Sequence, residues 1–311
     1  MVAMESLWFP LLLLALVLII FLRKPQNRKV PPGPPKLPII GNLHQFGDLP
    51  HRSLWDLSTK YGPIMSFKIG SLFTFVVSSA ETAKDVLKSH DLQTCSKHKF
   101  VNTKKLSYNF LDIAFSPYSD YWRDVKKLAI LEVFSIKRVQ SFRFIRENEV
   151  ALLLDAISQA ASSSNPVNLT YQMFGYSASI LFRIALGYSF HGSDLDKGSF
   201  YCLFHDISTL LGEVNAEDYI PYIGWIVDRI NGHHAKLERV FHEMNSIFEN
   251  AINIHLDPKK NNQQSKDIID VMLELDVDNQ GRSAEPFVQR NHIKGLLMNI
   301  FFGGIDTSSI L

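Results

Sequence analysis

Residues 293–311 read Ile-Lys-Gly-Leu-Leu-Met-Asn-Ile-Phe-Phe-Gly-Gly-Ile-Asp-Thr-Ser-Ser-Ile-Leu. Apolar residues fall on every side of a helix with this sequence, so we expect a fully buried central helix. Gly303 and Gly304 remove side chains from one face, and the Thr or Ser hydroxyls that follow can bond back one turn and bend the helix. The result would be a groove beside Asp306 and Thr307, suited to a small molecule that receives protons in an apolar cavity.

The same residues also fit an ordinary helix end. In that interpretation Gly303 and Gly304 close one helix, and Asp306 or Thr307 caps the next. This stretch by itself leaves both interpretations open.

Length and composition bound the fold and exclude some functions. The chain has 311 residues, 46% of them hydrophobic and 20% charged, which is enough for a large core in one or two domains. A net charge of +1 predicts no bulk attraction to nucleic acid. His233 and His234 are adjacent, and the sequence has no Cys-x-x-Cys or His-Glu-x-x-His motif, so we expect no zinc site. Two cysteines, Cys95 and Cys202, make no disulfide framework and fit a reducing compartment.

The N-terminus has the pattern of a membrane anchor. Residues 6–22 contain no charge and are dominated by Leu, Ile, Val and Phe, at the short end of what spans a bilayer. Basic residues follow and predict a cytosolic location for the rest of the chain: Arg23, Lys24, Arg28 and Lys29. A signal peptide would have a basic start and a small-x-small cleavage site, so we expect an uncleaved anchor over residues 1–22. Residues 23–35 form a basic, proline-rich linker before a globular part at 36–311.

The globular part is predicted to be a small sheet followed mostly by helices. The predicted elements are a helix at 50–60, strands at 64–69 and 73–77, a helix from Ser78 through Leu87, a loop at 100–114, a helix from Ser116, and helices at 139–161, 171–186, 199–211 and 227–255. Gly70-Ser71 between the two strands is a hairpin signal, and Gly187 closes the helix at 171–186.

Two stretches allow more than one interpretation. The helix from Ser116 places Trp122 and Lys126 one turn apart on one face. An indole N–H and an ammonium could together hold a ligand with a carboxylate, but amphipathic helices also routinely pair a core Trp with a solvated Lys. Residues 219–227, with Tyr and Trp among Ile and Pro, fit either a membrane interface or core packing.

Four motifs, in this order along the chain, resemble those of one family. After the anchor they read Pro31-Pro32-Gly33-Pro34-Pro35, Phe115-Ser116-Pro117-Tyr118-Ser119-Asp120-Tyr121-Trp122-Arg123, Tyr219-Ile220-Pro221-Tyr222-Ile223-Gly224-Trp225 and Gly303-Gly304-Ile305-Asp306-Thr307-Ser308. Each is weak alone, but the ordered set resembles a plant microsomal cytochrome P-450 from the large group of specialised-metabolism oxygenases. The resemblance implies the N-terminal portion of that fold, mainly α with a small β-sheet (α+β), preceded by one transmembrane helix in the endoplasmic reticulum membrane.

The resemblance also implies an activity and its residues. The family contains haem-dependent monooxygenases that insert one atom of O2 into an apolar small molecule, with electrons from NADPH through a cytochrome reductase. Thr307 would hold the dioxygen and relay protons, and Asp306 would connect that relay to solvent. Gly303 and Gly304 would leave room beside the haem for oxygen and substrate.

At the haem edge, the resemblance implies that Trp122 donates to a propionate. Lys126 stands where most relatives have Arg, so a point charge replaces a bidentate fork. Residues 100–113 resemble the first substrate-recognition loop of the family. The reductase would dock near the basic face that Lys126 and Lys127 help to form.

The haem ligand of the family does not match any residue of this sequence. Family members bind the iron through a Cys thiolate in a loop of pattern F-x-x-G-x-R-x-C-x-G. Neither Cys95 in Thr-Cys-Ser-Lys nor Cys202 in Tyr-Cys-Leu-Phe fits that pattern, and the family's E-x-x-R helix is also absent. We therefore expect residues 36–311 to be a partial haem-monooxygenase domain without the C-terminal haem-ligand region. The alternative function is a truncated, catalytically inactive, membrane-anchored remnant or binding partner.

Overall fold

The computed structural model describes residues 30–193, 195, 198–257, 266–279 and 289–309. Within these ranges the protein is mainly helical with one two-stranded sheet, which confirms the predicted α+β class. The expected anchor at residues 1–22 lies outside the described residues. In the ranges given above, no helix combines the length and the apolar character needed to cross a bilayer.

The secondary structure follows a simple order along the chain. The helices and strands are α1 (Pro50–Tyr61), β1 (Ile64–Ile69), β2 (Leu72–Val77), α2 (Ala80–Lys84), α3 (Asp91–Thr94), α4 (Val101–Leu106), α5 (Asp120–Leu128), α6 (Ile136–Ser141), α7 (Arg143–Ser162), α8 (Leu169–Leu181), α9 (Ser199–Gly212), α10 (Ala216–Tyr219), α11 (Gly224–Ile230), α12 (His233–Leu256), α13 (Ile268–Asn279), α14 (Arg290–Gly304) and α15 (Asp306–Ser309). A short 3₁₀ turn lies at Leu43–Gln45, and π-helical turns extend α2, α5 and α8 over Asp85–Ser89, Ala129–Val133 and Phe182–Leu186.

These elements form two compact units. The first contains the chain up to Thr94 together with Asn215–Ile230, and the second contains Cys95–Val214 and the chain from Asn231 onward. The predicted globular part at 36–311 therefore spans both units. Each unit is assembled from two separate segments of the chain.

The sheet of the first unit is an antiparallel hairpin whose strands pair along their whole length. Gly70 turns the chain with φ of +57°, a backbone conformation that glycine adopts without steric strain. The Ser71 N–H donates to the Tyr219 carbonyl oxygen at 2.6 Å, at the end of α10. The predicted hairpin is therefore confirmed, and its turn is held by the later segment of the same unit.

The core of the second unit is built on aromatic side chains around α14. Phe301 of α14 lies edge-on to Phe182 and Phe248, with ring centroids 5.3 and 5.6 Å apart. Phe182 lies 5.0 Å from Phe200 in the same arrangement. All four rings are fully buried, and edge-to-face contacts add to the stabilisation from burial. These contacts make α14 the central helix of its unit.

The central helix is shorter than the predicted helix at 293–311. It begins at Arg290 and ends at Gly304, and α15 follows after the buried residue Ile305. From 293 to 301 every residue except the half-buried Asn299 is buried, which confirms the buried-helix prediction there. Beyond Phe301 one face of the helix becomes exposed, so the expectation of complete burial is wrong at this end.

The helix predicted from Ser116 begins instead at Asp120. Ser119 is the N-cap, and its hydroxyl accepts the Trp122 N–H at 3.2 Å. The Asp112 carboxylate accepts the N–H groups of residues 115 and 116, so the backbone there is held in a turn rather than in a helix. A side chain outside the predicted helix therefore sets where it starts.

The remaining differences from the predicted elements are also local. Ser79 rather than Ser78 caps α2, α4 lies within the predicted loop at 100–114, and the predicted helices at 139–161 and 227–255 are interrupted at Phe142 and at Asn231 with Gly232. Gly232 has φ of +82°, a left-handed conformation that ends helical hydrogen bonding.

An ion pair between a buried lysine and a half-buried glutamate joins α14 to α12. Lys294 Nζ donates to Glu249 Oε1 at 2.7 Å and to Asn245 Oδ1 at 3.0 Å, and it lies 5.0 Å from the centroid of the Tyr108 ring. The Lys294 side chain is only 6% exposed. The hydrogen bond from Lys294 holds the pKa of Glu249 below its usual value. The ammonium needs this carboxylate because an unpaired buried charge is strongly destabilising.

We predict that Glu249→Gln lowers the free energy of unfolding by about 3 kcal/mol, because it leaves Lys294 buried without a charge partner. The carboxylate has a lowered pKa in the folded protein, so its stabilisation is present above the usual carboxyl pKa and is lost as the pH falls. Urea unfolding at neutral and acidic pH measures both effects, and the variant should lose less stability on acidification than the wild type.

The matched control is Glu243→Gln on the same helix. Glu243 pairs with Arg239, but its side chain is 47% exposed. Exposed pairs contribute little, so this change should alter stability by no more than about 0.5 kcal/mol. Equal losses in the two variants would contradict a special role for Glu249.

Candidate active site on the central helix

A bend separates α14 from α15 at the predicted site. The Thr307 hydroxyl donates to the Gly303 carbonyl oxygen, four residues earlier. Ile305 lies between the two helices and is fully buried. This confirms the predicted back-bond, which uses a carbonyl of the last turn of α14 and accompanies the bend.

The two glycines at the bend have different surroundings. A Cβ atom placed on Gly303 would meet no atom within 4 Å, whereas one on Gly304 would lie 2.8 Å from Leu181 Cδ1. Gly303 therefore borders open space, and Gly304 permits close packing of α14 against α8. The expectation that both glycines leave room for a ligand applies in this structure to Gly303 alone.

The polar residues after the bend lie at the surface of the described structure. Thr307 and Ser308 are exposed, and Asp306 is half-buried. Ser208 of α9 donates to Asp306 Oδ2 at 3.3 Å. The structure thus places the Thr307 hydroxyl at Gly303, beside open space, and leaves Thr307 and Ser308 exposed rather than in an enclosed apolar cavity.

Trp122 and Lys126 lie together on α5, as their spacing predicted. Lys126 Nζ is 4.6 Å from the centroid of the Trp122 ring, a cation–π contact. The indole N–H donates to the Ile113 carbonyl oxygen at 2.9 Å, so it is used within the protein. Trp122 is half-buried and Lys126 is exposed. This arrangement matches the packed Trp beside a solvated Lys, with only the lysine free to meet a ligand.

A second lysine, which the sequence did not identify, joins this pair. Lys97 Nζ donates to the same Ile113 oxygen at 3.1 Å and lies 5.7 Å from the centroid of the Trp122 ring. We call Lys97, Lys126 and Trp122 the cationic cluster. Burial lowers the pKa of Lys97, Asp112 opposes this shift, and the charge of Lys126 adds to it. A bound anion would be stabilised by both ammonium groups and would relieve their repulsion.

Asn299 links the central helix to the loop before α5. Its side-chain oxygen accepts the N–H groups of Ile113 and Ala114, each at 2.9 Å, and its side-chain nitrogen donates to Asp112 Oδ2 at 2.8 Å. The predicted site residues therefore form two groups, one at the end of α14 and one on α5, and the 112–114 loop contacts both α14 and the cationic cluster.

Three potential metal ligands that the sequence did not identify also meet in the second unit. Ligand atoms of His255, Asp267 and Asp270 lie within 4.8 Å of one another. His255 Nε2 is 2.6 Å from Asp267 Oδ2, and Nδ1 is 2.7 Å from the Ala251 carbonyl oxygen. Both ring nitrogens thus lie at hydrogen-bond distance from oxygen atoms of the protein. The pair joins the end of α12 to the start of α13.

The chain is similar to proteins of one known family. The family model described as Cytochrome P450 matches residues 31–310. Cytochrome P450 71B36 of Arabidopsis thaliana is 44% identical over 293 residues, which are 93% of this chain and 57% of that protein. Cytochrome P450 71B10 of the same plant is 43% identical over 99% of this chain and 61% of its own length.

A relative from a second plant gives the same result. Cytochrome P450 71B1 of Thlaspi arvense is 46% identical over 287 residues, which are 92% of this chain and 57% of that protein. The chain thus spans 57 to 61% of the length of these three relatives. The family match extends over nearly the whole sequence and includes both groups of site residues. The chain belongs to the cytochrome P450 family.

Proposed function

We propose that this protein acts as a haem-dependent monooxygenase that inserts one atom of O2 into an apolar small molecule in plant metabolism. The observation that carries the proposal is the hydrogen bond from Thr307 to the Gly303 carbonyl at the bend of the central helix. It holds a hydroxyl beside the open space at Gly303, in a chain that belongs to the cytochrome P450 family. Family membership supplies the reaction class, and the bend supplies the group that would deliver protons.

The residues fit one part of a haem and not another. Lys97 and Lys126, both in contact with the Trp122 ring, offer positive charge that suits the propionates. Trp122 would act by holding the lysines, since its own N–H is bound to Ile113. Neither Cys95 nor Cys202, both exposed, lies in the sequence pattern of the family's thiolate loop. Bound haem would supply the redox chemistry that activates dioxygen.

Protons for the reaction would come from Thr307 and Asp306. The Thr307 hydroxyl has its hydrogen directed to Gly303 and keeps its oxygen free to accept a second hydrogen bond. Asp306, one residue before it, is hydrogen-bonded to Ser208. The Thr307 hydroxyl lies next to the open space at Gly303, and Asp306 precedes it in the sequence. The proposed role of Thr307 is to donate a proton there, and that of Asp306 is to resupply it from solvent.

Electrons would come from NADPH through a cytochrome reductase. The exposed lysines Lys126 and Lys127 on α5 suit an acidic partner surface, because complementary charge steers the encounter of two proteins. The apolar substrate would contact residues 100–113, which resemble the first substrate-recognition loop of the family. That segment contains α4, which Asn102 fixes by donating to the Leu210 carbonyl oxygen at 2.6 Å.

We also propose that the protein lies on the endoplasmic reticulum membrane with its catalytic part in the cytosol. Support comes from exposed apolar side chains on and before α11 in the first unit. We call this set the apolar patch: Tyr222, Ile223, Trp225, Ile226, Val227 and Ile230. Tyr222 is 91% exposed and Ile230 81% exposed, which argues against core packing. Contiguous apolar surface with Tyr and Trp is typical of membrane contact.

We predict that Thr307→Ala, made in the full-length protein, lowers the product formed per NADPH oxidised by on the order of tenfold, as loss of a proton-transfer group should. Parallel measurements of NADPH oxidation and product formation test this. Thr307→Ser is the control, since it keeps the hydroxyl and should keep most of the coupling. Unchanged coupling in Thr307→Ala would refute the proton-delivery role.

We predict that Trp225 contacts lipid. In vesicles that contain bromine-labelled phosphatidylcholine, the full chain should show quenching of its Trp fluorescence, and Trp225→Phe should reduce the quenched fraction. Trp122→Phe is the matched control, because Trp122 is held by Ile113 and Lys126 and should stay unquenched. If the two variants lose the same quenched signal, the apolar patch does not lie in the membrane.

A further inference from the structure

The peptide groups around Ile113 are held from two sides. On one side, the Asn299 amide of α14 accepts the Ile113 and Ala114 N–H groups. On the other, the Ile113 carbonyl oxygen accepts the Trp122 indole N–H and the Lys97 ammonium. Ile113 is therefore the point at which the central helix and the cationic cluster are connected.

The Asn299 side chain has only one orientation that satisfies its partners. Two of the three partners are backbone donors, so they require the amide oxygen, and the third is the Asp112 carboxylate, which requires the amide nitrogen. Asp112 is fully buried and also accepts the N–H groups of Phe115, at 3.0 Å, and Ser116, at 2.9 Å. Asn299 and Asp112 together fix four consecutive backbone amides, at 113–116.

The segment before this loop has a strained backbone. Tyr108, Asn109 and Phe110 have φ of +53°, +66° and +65°, three consecutive left-handed residues without a glycine. Each costs about 1 kcal/mol relative to ordinary backbone, so contacts from outside the segment help to hold it in addition to its local bonds to Ser107. One anchor is at Gly295, where an added Cβ would overlap the Leu111 carbonyl oxygen. Asn299 provides the next anchor, four residues further along the same face of α14.

We propose that Asn299 is a positioning residue: by holding the Ile113 and Ala114 peptide groups against α14, it fixes the Ile113 carbonyl that orients Trp122 and Lys97 in the cationic cluster. The inference deepens the proposed function, in which that cluster holds the anionic edge of a cofactor. Asn299 itself contacts backbone and a carboxylate, and it acts on the cluster only through Ile113.

The first test measures backbone amide exchange in the full chain. Asn299→Ala should raise the exchange rates of the Ile113 and Ala114 amides, and that of the Trp122 indole N–H, by about tenfold or more, because each loses a hydrogen bond or its anchored acceptor. Amides of the aromatic core, such as that of Phe182, should keep their protection, which separates local release from unfolding. Unchanged exchange at Ile113 and Ala114 would overturn the proposal.

The second test uses the charge of a conservative variant. Asn299→Asp keeps the acceptor for the two amides but places a carboxylate against Asp112, with Lys97 and Tyr121 as the other titratable groups facing that aspartate. The two carboxylates must share a proton, so protection of 113 and 114, corrected for the intrinsic pH dependence of exchange, should be high in acid and fall as the pH rises. The wild type, with its amide at position 299, should show no such fall between acidic and neutral pH.

The double variant Asp112→Asn, Asn299→Asp restores one carboxylate and one amide with their positions exchanged. The nitrogen of the amide introduced at position 112 can donate to the carboxylate introduced at position 299, while the oxygen of that amide accepts the 115 and 116 N–H groups. Protection at neutral pH should return to within about threefold of the wild type. Protection no better than in the single Asn299→Asp variant would overturn the proposal.

These readouts do not require haem or turnover. If exchange responds as described while the full-length protein shows no oxygenase activity, the proposed function fails and the positioning role of Asn299 stands. If Thr307→Ala uncouples turnover as predicted but exchange at 113 and 114 is insensitive to Asn299, the proposed function stands and the positioning role of Asn299 fails.

Discussion

Burial of α14 on nearly every side obliges each of its polar groups to find a partner inside the protein, because an unpaired polar group in such a position is strongly unfavourable. The helix meets this requirement at two levels. Lys294 bonds to Glu249 on α12, and Asn299 bonds to the loop before α5. Each bond ties a different part of the second unit to the same helix, so this one requirement determines much of the unit's tertiary arrangement.

The sequence predicted features whose cause is local. The hairpin follows from two strand-like runs around Gly70-Ser71. Gly187 ends the helical turn that extends α8. The bend follows from Gly303 and a hydroxyl four residues later. In each case the residues that decide the structure are close together in the sequence. Periodicity likewise identified most helices and the buried face of α14.

The features that the sequence did not predict depend on contacts between distant residues. The helix predicted from Ser116 starts later because Asp112 accepts the N–H groups of residues 115 and 116. Lys97, far from Trp122 in the sequence, reaches its ring and shares the Ile113 carbonyl as an acceptor. Exposure of Thr307 could not be read from its apolar neighbours, since it depends on what packs on that face. The break at Gly232 is an exception with a local cause, since a left-handed glycine ends the helix there. The sequence therefore identified Trp122 and Lys126 as a pair, but not Ile113, whose carbonyl oxygen accepts the Trp122 indole N–H.

The division of the first unit between two chain segments has a consequence for protein synthesis. The hairpin emerges from the ribosome early, but the Tyr219 carbonyl that receives the Ser71 amide belongs to the later segment. Until that later segment has been translated, the first unit cannot be completed, and the apolar faces of its strands lack their final surroundings. Maturation of this unit thus waits for a large part of the second unit to be made.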